Sequence, residues 1–374
     1  MPHQRHPLGP LMLDVVGTQL DDADRRRLTH PLGGGVILFS RNYESPEQIA
    51  ELTREIHALR QPPLLIAVDH EGGRVQRFRA GFTPVPPMRA LGEIWAEHPQ
   101  TAKRLARDAG YVVGAELRAV GVDFSFAPVL DLDWGGSTVI GNRAFHADPE
   151  AVAELAHALT LGLSEAGMNA VGKHFPGHGY VKADSHHDVP VDERDLATLE
   201  DADLIPFRRL IDLGMAGIMP AHVIYPQVDS QPAGFSHRWL ADILRGRYGF
   251  EGMIFSDDLG MAGASVVGGV LARARAALAA GCDMALLCNK PDLADELLAG
   301  LAWNPTPVSL IRFARMHGRP HPPGRVALHE SARYMNAVHH LAGIGQTDAE
   351  LALNDPTNTC GRSGDRDDSA CCRG

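Results

Sequence analysis

The sequence predicts an α/β protein built as a single (β/α)8 barrel of the TIM type, and three features carry that prediction. Eight short apolar, β-branched runs recur along the chain, and helix-like stretches separate them. No Gly-x-Gly-x-x-Gly string follows any run to hold a dinucleotide on an open, doubly wound sheet. Runs that are apolar on both faces suit buried parallel strands. A chain of 374 residues could also hold two domains, but one barrel with insertions reaches this size.

In order, the runs are LMLDVVG from Leu11, GVILFS from Gly35, PLLIAVD from Pro63, VDFSFAP from Val122, NAVGKHF from Asn169, AGIMPAH from Ala216, GMIFSDD from Gly252 and DMALLCN from Asp283. The segments between them carry helix punctuation as well as periodicity. Asp148 and Pro149 read as N-cap and first helical residue. Val152, Leu155, Ala156, Leu159 and Leu163 then share one face, and Gly167 offers the left-handed stop. Leu204, Phe207, Leu210 and Ile211 before Gly214 repeat the scheme. Ser236 is placed to cap a helix carrying Leu240, Ile243 and Leu244.

Two connections are long, Glu71 to Pro87 after the third run and Pro176 to Asp192 after the fifth. Loops of that length in a compact domain are usually functional, and in barrels the loops after the strands build the active site. Helical periodicity ends near Ala342, which gives a domain of residues 1–345. Residues 346–374 are expected to be a disordered tail, because NDPTNTCGRSGDRDDSACCRG within them has almost no aliphatic side chains and no period.

Composition narrows the function. Thirty-five basic against 46 acidic residues, with no basic block, argue against nucleic acid as a partner. The N-terminus lacks a signal-like apolar run and no stretch of about 18 apolar residues occurs, so a cytoplasmic protein with no membrane partner is expected. Cys282 and Cys288 read as reduced core thiols, while Cys360, Cys371 and Cys372 fall in the tail; neither set has zinc spacing. No cofactor and no metal are expected, and the chain is expected to act as a monomer.

Polar residues gather at the carboxyl ends of the runs: Asp69 with Glu71, Asp131 and Asp133, Lys173 with His174, His222, and Ser256 with Asp257 and Asp258. In a parallel barrel these ends share one rim. Carboxylates facing each other across a rim suit a bound sugar, since glycoside cleavage needs a proton donor and a carboxylate for the oxocarbenium-like centre. Asp184 and His186 are two apart, so in extended backbone they share a face and the carboxylate could orient the imidazole. The alternative is a polar surface loop with solvated histidines, and spacing leaves both open. Alternation puts Asp257 and Asp258 on opposite sides without saying which faces the axis. Glu71, in a Glu-Gly-Gly turn, reads as a structural carboxylate that holds backbone.

The strings DHEGGRVQRF from Asp69, VIGNRAF from Val139, KHFPGHG from Lys173, DSH from Asp184, PAHVIY from Pro220 and IFSDDLGM from Ile254 resemble the bacterial β-N-acetylglucosaminidases of glycoside hydrolase family 3. The match is ordered and spans roughly residues 8 to 345. It implies a barrel-only member that removes terminal N-acetylglucosamine with retention through a covalent glycosyl-enzyme. By the family's motif Asp257 would be the nucleophile, His186 the acid/base, and Asp184 its partner. Asp69, Arg77, Arg143, Lys173 and His174 would bind the sugar. The implied substrate is a saccharide or muropeptide such as N-acetylglucosaminyl-1,6-anhydro-N-acetylmuramic acid, in peptidoglycan recycling. A histidine acid adds no negative charge beside an anionic leaving sugar, and it fits phosphorolysis equally well.

Two rivals stand beside this reading. His174, His178, His186, His187 and His222 with Asp184 would suffice for a metal hydrolase, but the first run lacks the His-x-His pair of barrel metal hydrolases. A sugar-binding barrel without catalysis is the other, and the presence of Asp257, His186 and Asp184 argues against it.

Overall fold

The computed structural model describes residues 4–182, 189–319 and 324–344. The tail expected over 346–374 lies outside the described residues. Eight parallel strands close into a barrel: β1 (Leu11–Asp14), β2 (Gly33–Leu38), β3 (Leu65–Val68), β4 (Phe124–Ser125), β5 (Asn169–Phe175), β6 (Gly217–Pro220), β7 (Met253–Asp258) and β8 (Met284–Leu287). Each pairs with its neighbours in sequence, and β8 returns to β1 through Ala285 opposite Leu11. All eight expected runs form barrel strands, and the strands are buried on both faces as their composition requires. Phe124, Phe126 and Phe255 meet inside with ring centroids 5.2 to 5.3 Å apart, so the interior is packed core.

The helical layer follows the expected punctuation. Asp148 accepts the Glu150 amide at the start of Pro149–Glu165, and Gly167 beyond its end has φ +80°. Ser236 accepts the Trp239 amide at 3.0 Å, as a cap should. The turns that follow, Arg238–Arg247, wind as a π-helix, a departure that apolar spacing does not reveal. The connection after β3 is not all loop, because His70–Gly72 and Val75–Gln76 pair as a short antiparallel hairpin. At the opposite end of the barrel Arg60 is buried, and its guanidinium donates to the carbonyls of His6, Pro7, His30 and Gly33. The last described helix, Ala332–Leu341, packs on Pro99–Ala119 through Arg333 and His340 on Asp108. Among the described residues no helix is long and apolar enough to cross a membrane.

Candidate active site

The carboxyl ends of the strands open into one cavity lined by Asp69, Glu71, Arg143, Lys173, His174, His178, Asp257 and Asp258, with Phe39, Phe126, Met219 and Met261 as its apolar walls. Of the residues expected to bind sugar, Asp69, Arg143, Lys173 and His174 therefore line the same cavity as Asp257. Arg77 lies behind them, buried, with its guanidinium 3.8 Å from the Asp69 carboxylate. Asp184 and His186 lie outside the described residues.

Lys173, at the end of β5, bridges two carboxylates, with Nζ 2.7 Å from Asp69 Oδ1 and 2.6 Å from Glu71 Oε1. Arg143 reaches Glu71 with both arms of its fork, at 2.9 and 2.8 Å. Burial alone would push the Glu71 carboxyl up, but the Arg143 and Lys173 cations override it and hold it well below the usual carboxylate range. Glu71 is thus a fixed anion that orients two cations. The expectation that it braces a backbone turn is corrected: its partners are side chains, brought to it by β5 and by the loop after β4. The remaining nitrogen of the Arg143 guanidinium donates to the Val139 carbonyl at 3.2 Å, so each of its three nitrogens has a partner in the protein.

His174 is set by Asp131. Its Nδ1 lies 2.7 Å from Asp131 Oδ2, and Asp131 Oδ1 accepts the amides of His174 and His178 at 3.2 and 2.7 Å. Burial pushes this carboxyl up, and His174 together with the donors around it draws it below its ordinary range. His178 is moved the other way, down to about 4, by burial and by His174, so it is neutral at physiological pH. Asp131 follows its run by three residues, a position that marked it as a rim residue but gave it no role.

At the end of β7, Asp257 Oδ1 accepts the Asp258 amide at 2.8 Å. Asp258 Oδ1 accepts the amides of Gly260 and Cys288, at 2.8 and 3.0 Å, tying the end of β7 to the end of β8. Both carboxyls border the cavity, contrary to the strict alternation expected. The β7–β8 pairing explains this: Phe255 faces Met284 while Asp258 faces Leu286, an irregular step that breaks the two-residue period. Burial pushes the Asp258 carboxyl up to about 7; the two amides work against this and the Asp257 charge adds to it. Behind it, buried His222 stacks on Phe235 and places Nε2 3.2 Å from the Asp258 carbonyl. Sequence reasoning missed Asp14, whose carboxylate pairs with Arg41 and accepts the Asn289 amide at 3.1 Å. Its place at the end of LMLD was the available signal.

A parallel barrel whose rim gathers an aspartate, a fixed cluster of cations and carboxylates, and apolar walls is built as an enzyme that handles a small polar substrate. Related proteins define that class more closely. The family model described as the glycosyl hydrolase family 3 N terminal domain matches residues 11–303. The beta-hexosaminidase of Thiobacillus denitrificans is 65% identical over 357 residues, covering 95% of this chain and 99% of that protein. The beta-hexosaminidase of Methylobacillus flagellatus is 64% identical, covering 92% and 99%. The crystal structure of NagZ from Neisseria gonorrhoeae in complex with N-trifluoroacetyl-D-glucosamine superposes with a TM-score of 0.87 at 49% identity, covering 92% of this chain and all of that one. The chain belongs to glycosyl hydrolase family 3 and is a glycoside hydrolase.

Proposed function

We propose that this protein is a retaining exo-β-N-acetylglucosaminidase that releases the terminal non-reducing sugar from peptidoglycan fragments, N-acetylglucosaminyl-1,6-anhydro-N-acetylmuramyl peptides among them, in cytoplasmic cell-wall recycling. The observation that carries the reading is the arrangement of one cavity. Asp257 borders it together with Asp69, Lys173, Arg143 and His174, so a carboxylate able to attack and a cluster able to grip hydroxyl and amide oxygens share one small space. The names of the beta-hexosaminidase relatives and the sugar held by the gonococcal protein support the choice of N-acetylglucosamine.

In the proposed mechanism Lys173 and Asp69 hold the ring hydroxyls, Arg77 steadies Asp69 from behind, and the apolar walls cover the carbon face of the ring. Asp257 attacks the anomeric carbon as His186, oriented by Asp184, protonates the departing oxygen. His186 then takes a proton from water, and that water breaks the glycosyl–aspartate bond to give the sugar with retained configuration. The working unit is residues 1–345.

Asp257→Ala is expected to lower turnover of every substrate by about 10³-fold or more, with the fold kept. His186→Ala should cost about 10²- to 10⁴-fold on a disaccharide and much less where the leaving group needs no proton. Steady-state rates on both substrate types, with products resolved in the presence and absence of phosphate, check this. Equal losses for His186→Ala on both types would contradict the acid role, and a sugar phosphate as main product would replace hydrolysis by phosphorolysis.

A further inference from the structure

Among the described residues, the large apolar side chains left exposed are aliphatic except for two, Trp134 and Tyr180, 45% and 46% exposed. These two stand together, ring centroids 5.7 Å apart at 88°, an edge-to-face pair. Exposed rings are usually free to move; these are anchored from beneath. Trp134 donates its indole N–H to Asp203 at 3.1 Å. The Arg194 guanidinium lies 4.0 Å from the Tyr180 ring centroid and 5.2 Å from that of Trp134. Arg194 is itself held by buried Asp192 and Asp203, at 2.7 and 2.6 Å. Burying two carboxylates and an arginine is costly unless each is paired, so the fold commits a desolvated ionic network to fixing two side chains that face water.

Their position relates them to the cavity. Trp134 comes three residues after Asp131, which sets His174 and His178 on the cavity wall, and Tyr180 comes two residues after His178. Two residues span at most about 7 Å, so Tyr180 stays close to His178 on the cavity wall, and both rings, exposed, follow the carboxyl ends of β4 and β5 on the rim side of the barrel. Gly179 lets the two segments meet there. A Cβ on it would lie 1.8 Å from the Leu132 carbonyl oxygen, so only glycine allows the segment after β5 to lie against the one after β4.

We infer that Trp134 and Tyr180 form a binding surface for the leaving-group sugar, the pyranose joined to the residue that fills the cavity. The weakly positive C–H face of a pyranose matches the negative face of an aromatic ring, and two rings held at right angles offer a ledge without loss of side-chain freedom on binding. This rests on the reading that the cavity takes the terminal sugar, because only the leaving side of such a substrate then extends past the rim. Neither ring touches the reacting atoms, so the pair sets which leaving groups are preferred.

The test compares two substrates on the full chain: the β-fluoride of N-acetylglucosamine, which has no leaving sugar, and a β-1,4-linked N-acetylglucosamine disaccharide. Trp134→Ala is expected to lower kcat/KM on the disaccharide by about ten-fold, mostly through KM, and to leave the fluoride within about two-fold. Tyr180→Leu should act in the same direction, and Trp134→Phe, which keeps an aromatic face but loses the bond to Asp203, should retain most disaccharide activity. Inhibition by free N-acetylglucosamine should not change in any variant. Equal losses on both substrates, or an unchanged disaccharide rate in Trp134→Ala and Tyr180→Leu alike, would overturn the inference and leave the rings as a cover over Arg194. Failure of the wild type to turn over the fluoride would contradict the reading of the cavity, and this inference with it.

Discussion

At the scale of single residues the site is a set of carboxyls given different fates by their surroundings. Glu71 is held ionised by two cations, Asp131 by His174 and two amides, and Asp258 is driven up to about 7 by burial and by Asp257. Asp258 gives a test of this division. Its folded pKa lies above its unfolded one, so its contribution to stability is fully present below about pH 4 and is lost as pH rises to about 7. The groups that face it are Asp257, Asp14 with Arg41, Arg273 and the Cys288 thiol, and the last is itself pushed well up by burial. Asp258→Asn keeps an acceptor for Gly260 and Cys288 and removes the titration. Relative to this variant, the wild type should lose up to about 1.4 kcal/mol of unfolding free energy per pH unit between about pH 4 and 7, and none above. Urea unfolding across that range measures it, and a constant difference between the two proteins would show that Asp258 does not titrate there.

At the scale of elements, the strand ends and the glycine between them decide which side chains meet. Gly179 is the sharpest case, because its neighbour is backbone and cannot turn aside. Gly179→Ala should push the segment after β5 away from Leu132, at a cost of about 1–3 kcal/mol, and lower kcat/KM through the displaced His178. Urea unfolding and steady-state rates on the fluoride check both effects, and a variant with unchanged stability would show that the two segments do not touch. How much of this was legible in the sequence depends on how local the cause is. Caps such as Asp148 and the stop at Gly167 are decided within one turn, and both were readable. The Arg238–Arg247 winding was not, since the spacing of Leu240, Ile243 and Leu244 fits an ordinary α-helical face and carries no mark of the wider turn. The side-by-side placing of Asp257 and Asp258 was hidden for a related reason: it follows from an irregular pairing with β8, a segment some thirty residues away.

At the scale of the whole molecule, eight runs apolar on both faces foretold the barrel because a parallel strand must be buried on both sides wherever it lies. Closure then turned a list of strand-end residues into one site, which is why Asp69, Lys173, His174 and Asp257 could be named together before any contact was known. Their partners could not be named. The Glu71 link to Arg143 and the Asp131 link to His174 join residues 72 and 43 positions apart, and nothing in either neighbourhood announces the other. The aromatic ledge at Trp134 and Tyr180 escaped for the same reason, since each ring in isolation is an ordinary loop residue.

In the proposed mechanism Asp257, and not its neighbour, forms the covalent bond to the sugar. A slow 5-fluoro derivative of N-acetylglucosaminyl fluoride should accumulate that intermediate on the intact enzyme, and peptide mapping by mass spectrometry would locate it. One added glycosyl group is expected on the peptide around IFSDDLGM, carried by Asp257 and absent from Asp257→Ala. A label on Asp258 or on any other residue, or complete turnover of the fluoride with no label, would contradict it.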